Sequence, residues 1–397
     1  MTKVPLPQRF LAAGTACGIK DNPRTPDLAL FVSEVSCTSA GVFTQNRVCG
    51  APVQVSRTRV PRTTTRAVII NSGNANACTG QRGLDDARWM TAEIAQRLDC
   101  PPEDVLVCST GVIGRPLPRE KLAAGIPVLM ELLGSDPHAF LEAARGMMTT
   151  DTVPKQAFRT FELASREVRL SAVAKGAAMI GPNMATMLAV ILTDLHLDPR
   201  TADTMLRQSV DRSFNCISVE GHTSTSDSVI LLANGASGVE LRSEKDSRQF
   251  QEMLDGVTRE LAQAIVRDAE GAAHFVTVRV RGTHSPDQAK RIAQTIANDV
   301  LVKTAITGND PNWGRIVSCC GRTGVELNER DVTLSINGTL IFQAGSPAEY
   351  DEQAVRESMS RGDVELDVQL PFGDASVEVW TSDLTQEYVR LNSEYTT

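Results

Sequence analysis

Along its whole length the sequence alternates between stretches with the spacing of amphipathic helices and short apolar runs typical of strands. One helix is predicted after Asp136, an N-cap residue followed by Pro137 at the first helical position. Further helices are predicted over residues 84–98 and 247–266 and after Ser285-Pro286. The predicted strands are residues 67–70, 105–108, 167–173, 276–281, 333–336 and 340–342, the last two joined by the hairpin signal Asn337-Gly338. Intermixed helices and strands of this kind predict a mixed α/β fold.

The sequence shows no clear division into domains. It contains no internal repeat, no low-complexity segment and no linker rich in Pro, Gly or Ser. We therefore expect one compact unit. If there is a boundary, the turn at residues 181–183 is its best candidate.

Charge and cysteine usage narrow the functional classes. The formal net charge of −8 lacks the basic footprint that a nucleic-acid partner requires. The nine cysteines include no C-x-x-C spacing, which argues against a zinc site or a disulfide framework, so no metal is expected. The N-terminal residues carry no apolar signal core, and the longest apolar run, residues 184–192, is about half of a membrane span. We expect a cytoplasmic protein with reduced thiols and no membrane partner.

A single hydroxyl, Thr186, lies near the start of that apolar run, behind Ala185 and a Gly-Pro-Asn turn. Two interpretations remain open from these residues. Thr186 is either a strand residue that bonds a neighbouring carbonyl, or a nucleophile that attacks the carbonyl of Ala185 and cuts the chain through an ester. In the second case Thr186 becomes a new N-terminus. An α-amine has a pKa of ~7.7–8.0, against ~10.4 for lysine, so it is partly neutral near pH 7 and can act as base for its own hydroxyl.

Two polar segments follow predicted strands and are interpreted as loops. Residues 109–114 read STGVIG, in which a hydroxyl beside a glycine amide meets the requirement of an oxyanion hole. The same segment is also compatible with a plain turn or with a phosphate cradle, although the full dinucleotide and P-loop patterns are absent. Residues 71–80 contain three asparagines, which either satisfy their own backbone in turns or present amides to a ligand.

Charged residues lie near both candidate segments. Lys175 precedes Thr186 by eleven positions and is either a solvated charge or a group that holds a carboxylate or steadies an oxyanion. Glu270 follows the long predicted helix between small residues, where a carboxylate is normally a surface group or can receive a substrate ammonium.

The segment KGAAMIGPNMATML, residues 175–188, resembles the self-cleavage segment of the ornithine acetyltransferase family, the glutamate N-acetyltransferases of arginine biosynthesis. Further motifs fall in the family's order at residues 71–80, 109–114, 151–152, 213–215, 270–272, 310–315 and 388–397. The resemblance therefore covers nearly the whole chain.

The resemblance implies an α/β sandwich that forms one composite unit from two self-cleaved chains. The alpha chain would be residues 1–185 with the oxyanion-hole segment, and the beta chain would be residues 186–397, beginning at the nucleophile. The two chains are expected to stay associated, commonly as an α2β2 assembly. Thr186 is expected to take the acetyl group of N2-acetyl-L-ornithine and to pass it to L-glutamate in a ping-pong cycle. No cofactor is expected; acetyl-CoA stays open as a second acetyl donor, because no CoA-binding motif can be recognised.

Individual roles are carried over position by position. Cleavage is expected between Ala185 and Thr186, and Thr110 with Gly111 matches the oxyanion-hole pair. The positions that match substrate contacts are Thr152, Lys175, Thr186, Glu270, Asn392 and Thr397. By charge, Lys175 suits the α-carboxylate and Glu270 the free ammonium of ornithine. The C-terminal tail is expected to fold back over the site.

Three departures from the family's pattern bear on the acceptor pocket. Ala273-His274 stands where Thr-Lys is usual, Glu220-Gly221-His222-Thr223 where Asp-Gly-Asp-Thr is usual, and Ala177-Ala178 where Ser-Gly is usual. The first removes a positive charge close to Glu270, which could change the amine that is bound.

Two other functions are retained as alternatives. One is an N-terminal-nucleophile amidase or aminopeptidase of related fold. The other is a non-catalytic α/β protein that binds a ligand through residues 109–114.

Overall fold

A computed structural model of the chain describes residues 3–163, 165–181 and 187–394, which form fifteen strands and eleven helices. The strands are β1 (Phe10–Thr15), β2 (Leu28–Phe43), β3 (Arg62–Asn74), β4 (Val105–Val112), β5 (Lys155–Leu163), β6 (Arg166–Lys175), β7 (Leu188–Thr193), β8 (Ile217–Ser218), β9 (Ser228–Ala233), β10 (Phe275–Thr283), β11 (Thr333–Ile336), β12 (Thr339–Gln343), β13 (Ser346–Pro347), β14 (Asp363–Gln369) and β15 (Ala375–Ser382). The helices are α1 (Ala51–Arg57), α2 (Gly80–Leu98), α3 (Arg119–Glu131), α4 (Pro137–Met147), α5 (Pro199–Asp211), α6 (Glu244–Arg267), α7 (Pro286–Ala297), α8 (Val300–Thr307), α9 (Trp313–Gly321), α10 (Glu352–Met359) and α11 (Gln386–Glu394). The predicted mixed α/β fold is confirmed.

The first sheet has the order β4-β3-β2-β9-β7-β6-β5, with β1 paired to β2. Strand β7 lies in its interior, antiparallel to β6 and parallel to β9, and all six of its residues are buried. Strands β1 to β6 precede position 186 in the sequence, whereas β7 and β9 follow it. The two parts of the sequence are therefore joined by backbone pairing within one sheet.

The second sheet has the order β13-β12-β11-β14-β10-β15-β8 and packs against α7 and α9. Asn337 and Gly338, with φ of 47° and 80°, form the turn between β11 and β12, as the hairpin signal predicts. Phe275 and Trp380 of this sheet belong to the same apolar core as β6, β7 and β9 of the first sheet. This shared core is what we expect of one compact unit.

Helices cover both faces of the first sheet, which gives it a buried interior on either side. One face packs against α5 and α6, and the other against α4. The predicted caps are present: the Asp136 carboxylate accepts hydrogen bonds from the amides of His138 and Ala139 at 2.8 and 2.9 Å, and the Ser285 hydroxyl from the amide of Gln288 at 3.3 Å. No helix within the described ranges combines the length and the apolar character needed to cross a lipid bilayer.

The prediction that residues 71–80 and 109–114 are loops is wrong at the start of each segment. Strand β3 continues to Asn74 and β4 to Val112, with Ser72 opposite Thr110 in the parallel pair. Strand pairing uses backbone groups, so it can continue after the apolar side chains end. The buried polar side chains bond each other, since the Ser109 hydroxyl donates to Asn71 Oδ1 at 2.6 Å.

Candidate active site

A cavity of about 210 Å³ lies at the ends of β4 and β6 and beneath α11. Its lining residues are Thr110, Gly111, Ile113, Thr149, Thr150, Lys175, Ala178, Met179, Glu220, His222, Ser224, Thr225, Ser226, Glu270, Tyr388 and Asn392. Five of the residues predicted from the sequence, in four distant segments of the chain, thus meet in one place: Thr110, Gly111, Lys175, Glu270 and Asn392.

Thr110 and Lys175 form a buried pair in the wall of this cavity. Lys175 is the last residue of β6, and its Nζ donates a hydrogen bond to Thr110 Oγ1 at 3.0 Å. Each residue is 2% exposed. Burial lowers the pKa of Lys175, and the nearby charge of Asp151 acts against this shift. Because the threonine oxygen accepts from the lysine, its own O–H can donate to another group.

Gly111 can only be glycine in this structure. Its φ is +129°, and a Cβ built on it would lie 2.3 Å from the carbonyl carbon of Gly73 on the neighbouring strand β3. A side chain would therefore push β4 away from β3 beside Thr110.

A network of buried ion pairs holds the backbone at the end of β6 in place. Lys155 Nζ lies 2.6 Å from Asp151 Oδ1 and 2.6 Å from Asp268 Oδ2, and the Gly176 amide also donates to Asp151 Oδ1 at 2.6 Å. Burial alone would raise the pKa of Asp151, but Lys155, Lys175 and the Gly176 amide outweigh it and lower that pKa to about 2. The carboxylate is thus charged and holds the backbone next to Lys175.

Glu270 lies under the C-terminal helix. Its Oε2 accepts a hydrogen bond from Asn392 Nδ2 at 2.9 Å, and its amide donates to the carbonyl of Ala177 at 2.9 Å. The Thr385 hydroxyl donates to the carbonyl of Gly271 at 2.6 Å, which ties the start of α11 to the same turn. As far as Glu394, the tail therefore has the position over the site that we expect from the sequence.

Thr152 is not brought to this cavity. It lines a neighbouring cavity of about 530 Å³ that shares only Thr150 and Glu270 with the first. Its amide donates to Asp268 Oδ2 at 3.0 Å, and its hydroxyl also bonds Asp268. The other predicted site positions, Ala185, Thr186 and Thr397, lie outside the described residues.

The structure adds groups to which sequence reasoning assigned no role. Glu220 and Tyr388 line the cavity together with the hydroxyls of residues 149–150 and 224–226. Burial raises the pKa of Glu220 to about 7, and its carboxylate accepts a hydrogen bond from the Ile180 amide. The departure from the family's pattern at residues 220–223 was the only signal that could have drawn attention to Glu220.

His274, the departure next to Glu270, does not line the cavity. Its Nδ1 lies 2.8 Å from Asp383 Oδ2 and its Nε2 lies 3.0 Å from Asn309 Oδ1. The hydrogen bond to Asp383 raises the pKa of His274, which favours the imidazolium ion. Both ring nitrogens of His274 are therefore bonded to Asp383 and Asn309, and His274 does not replace the positive charge at the cavity wall.

The arrangement supports acyl-transfer chemistry. Thr110 provides a hydroxyl donor whose oxygen is held by a lysine, and Glu270 places a carboxylate at the cavity wall, where it can pair with a cationic group. Within the described ranges, no three His, Cys, Asp or Glu side chains lie close enough together to hold a metal ion.

Comparisons with known proteins match nearly the whole chain to one family. The model of the ArgJ family matches residues 11–397. The chain is 43% identical to the arginine biosynthesis bifunctional protein ArgJ of Rhodopirellula baltica, over 99% of this chain and 96% of the relative. It is 44% identical to the protein of the same name from Geobacter sulfurreducens, over 94% of this chain and 96% of that protein. A crystal structure of the arginine biosynthesis bifunctional protein ArgJ from Bacillus halodurans is similar with a TM-score of 0.51 and 33% identity, covering 52% of this chain and 98% of that one.

Proposed function

This chain belongs to the ArgJ family, and on that basis we propose that it is a self-cleaving glutamate N-acetyltransferase of arginine biosynthesis with Thr186 as its nucleophile. The structural observation that supports the proposal is the convergence of Thr110, Lys175, Glu270 and Asn392 on one cavity.

The first reaction is the cut between Ala185 and Thr186. The Thr186 hydroxyl attacks the Ala185 carbonyl carbon, the C–N bond breaks, and the hydroxyl proton is transferred to the departing nitrogen. Water then hydrolyses the resulting ester, which gives the Ala185 carboxylate and regenerates the threonine hydroxyl beside a free α-amine. The Bacillus halodurans chain, matched over 98% of its length, spans only 52% of this one, which is the length relation expected if that chain is one product of such a cut.

The second reaction is acetyl transfer by the freed threonine. The α-amine takes the hydroxyl proton while the oxygen attacks the acetyl carbonyl of N2-acetyl-L-ornithine, and the proton then passes to the departing ornithine amine. The acetyl group is left on Thr186 as an ester. The neutral amine of L-glutamate attacks this ester and loses a proton, and the threonine oxygen is protonated again as acetylglutamate leaves.

The cavity residues have distinct roles in this cycle. Thr110 donates its hydroxyl to the oxyanion, with the Gly111 backbone beside it, and Lys175 holds the Thr110 oxygen. Glu270 receives the side-chain ammonium of ornithine, and Asn392 orients the carboxylate of Glu270 through a hydrogen bond. Thr152, which lines the neighbouring cavity, and Thr397, outside the described residues, are kept as substrate contacts only because the resemblance implies them.

The fragments are proposed to remain one cytoplasmic enzyme, associated as α2β2. Pairing of β7 with β6, and of β9 with β2, would hold the two fragments together without a disulfide, and all nine cysteines are free thiols. Acetyl-CoA is retained as a second acetyl donor to Thr186, and no bound cofactor is needed.

The test combines intact mass, N-terminal sequencing and an acetyl-transfer assay on the purified protein. We expect two fragments, the second beginning Thr-Met-Leu-Ala-Val, and formation of acetylglutamate much faster than release of acetate. Acetate release as the main reaction would favour the amidase alternative. A whole chain without any acetyl transfer would favour a ligand-binding protein.

A further inference from the structure

The backbone of Met187 is held by the residues that open strand β9. Its amide donates a hydrogen bond to Asp227 Oδ1 at 3.2 Å, and its carbonyl accepts one from the Ser228 amide at 3.2 Å. The carbonyl of Asp227 in turn accepts from the amide of Thr44 at 3.0 Å, where β2 ends. The backbone of Asp227 is therefore attached to the end of β2, and its side chain holds the residue that directly follows position 186.

Asp227 is chemically unusual for a carboxyl group. It is 0% exposed, and burial raises its pKa well above the ordinary value, against the opposing effects of the Met187 amide, the Ser224 and Thr44 side chains and the Lys175 charge. Its second oxygen, Oδ2, accepts no hydrogen bond of ordinary geometry within the described ranges, although the Ser224 and Thr44 side chains lie near enough to the carboxyl group to lower its pKa. The Met187 amide needs only one acceptor oxygen at this position, which a carboxyl group or a side-chain amide of the same shape can supply.

The other end of the same stretch is held in a comparable way. The carbonyl of Ile180 accepts hydrogen bonds from the amides of Val219, Glu220 and Gly221 at 2.8, 3.3 and 3.1 Å, and its amide donates to the Glu220 carboxylate. Residues 180 and 187, on either side of the predicted cut, are thus both attached to residues 219–228.

We infer that Asp227 is a positioning residue for self-cleavage, which acts by holding Met187 in place. The inference rests on the proposed function, because it concerns the reaction that frees Thr186. Attack by a neighbouring hydroxyl needs its carbonyl target in near-attack geometry, and a displacement of about 1 Å can cost ~10²-fold in rate. The same contact would hold Met187 against the start of β9 after the cut.

The test measures the rate of cleavage in full-length chains made by cell-free translation, followed over time on a denaturing gel. Asp227→Ala removes the acceptor for the Met187 amide and is expected to slow cleavage by at least about 10-fold. Asp227→Asn keeps an acceptor oxygen and a donor in the same shape, so we expect a rate within about 3-fold of the parent.

A matched control lies at the other end of the same strand. Asp194 follows β7, is 0% exposed, and accepts hydrogen bonds from the amides of Arg169 and Gln8 at 2.9 and 3.1 Å. Asp194→Ala removes two hydrogen bonds to backbone amides, against one in Asp227→Ala, without touching Met187, so it should cut at close to the parent rate. If Asp227→Ala does not fold, Asp227→Leu keeps the branched shape without an acceptor and should also cut slowly.

Each remaining outcome overturns the inference in a recognisable way. Parent-rate cutting in Asp227→Ala, or in Asp227→Leu if it is used, would remove the positioning role. Asp227→Asn as slow as Asp227→Ala would mean that an ionised carboxylate is required. Equal slowing by Asp194→Ala would mean that only sheet stability matters. A parent chain that never cuts would overturn the proposed function as well. If the parent cuts and Asp227→Ala cuts at the same rate, only the present inference is overturned.

Discussion

The Nζ of Lys175 donates a hydrogen bond to Oγ1 of Thr110 at 3.0 Å in the wall of the cavity. From the sequence, Lys175 suits either a substrate carboxylate or an oxyanion, and the contact favours the second role, exerted through Thr110. A lysine that occupies an acceptor site of the hydroxyl directs the hydroxyl proton elsewhere, and a donor placed in advance is most effective where water is excluded.

We predict that Thr110→Val lowers the turnover of acetyl transfer by ~10²–10³-fold, because valine keeps the shape and loses the donor. Thr110→Ser is the matched control and should retain most of the activity. Steady-state rates with N2-acetyl-L-ornithine and L-glutamate measure both. Parent turnover in Thr110→Val would exclude Thr110 from the oxyanion hole.

Replacing Thr186 should separate cleavage from folding. Thr186→Ala is expected to give one uncut and inactive chain of 42.8 kDa, because no hydroxyl remains to attack Ala185. Thr186→Ser should still cut into two pieces and keep some activity. Intact mass and circular dichroism provide the readout, and an Ala variant that cuts normally would contradict the mechanism.

Substrate charge should be recognised at Glu270. Glu270→Gln is expected to raise the KM for N2-acetyl-L-ornithine while leaving cleavage of the chain intact, because the amide removes the charge that attracts the ammonium. Asn392→Ala, which removes the group that bonds Glu270 Oε2, should raise KM less. An unchanged KM in Glu270→Gln would exclude this role.

The buried carboxylate of Asp151 should make the free energy of unfolding decrease at low pH. The pKa of Asp151 is lowered from 3.8 to about 2, so its contribution is complete above about pH 4 and is lost as the pH falls towards about 2. At 1.36 kcal/mol per pKa unit, the loss is on the order of 2 kcal/mol. Thermal unfolding midpoints measured between about pH 5 and pH 2 should fall more steeply in the parent than in Asp151→Asn. Parallel curves would contradict the prediction.

Much of the fold follows from local patterns in the sequence. The spacing of apolar residues and the caps at Asp136 and Ser285 identify helices, and Asn337-Gly338 identifies a hairpin, because these features depend on residues a few positions apart. The resemblance to a family also selected Thr110, Lys175, Glu270 and Asn392, which the structure brings to one cavity.

The tertiary structure decided what depends on pairing between distant segments. Polar residues at the ends of β3 and β4 look like loop residues, but the parallel ladder between the two strands extends through them. Asp227 reads as an ordinary acidic residue before an apolar run; only the parallel pairing of β7 with β9 places it against Met187, 40 positions away. Only burial there makes its proton hard to remove, since the pKa of a carboxyl group depends on the solvent and charges around it.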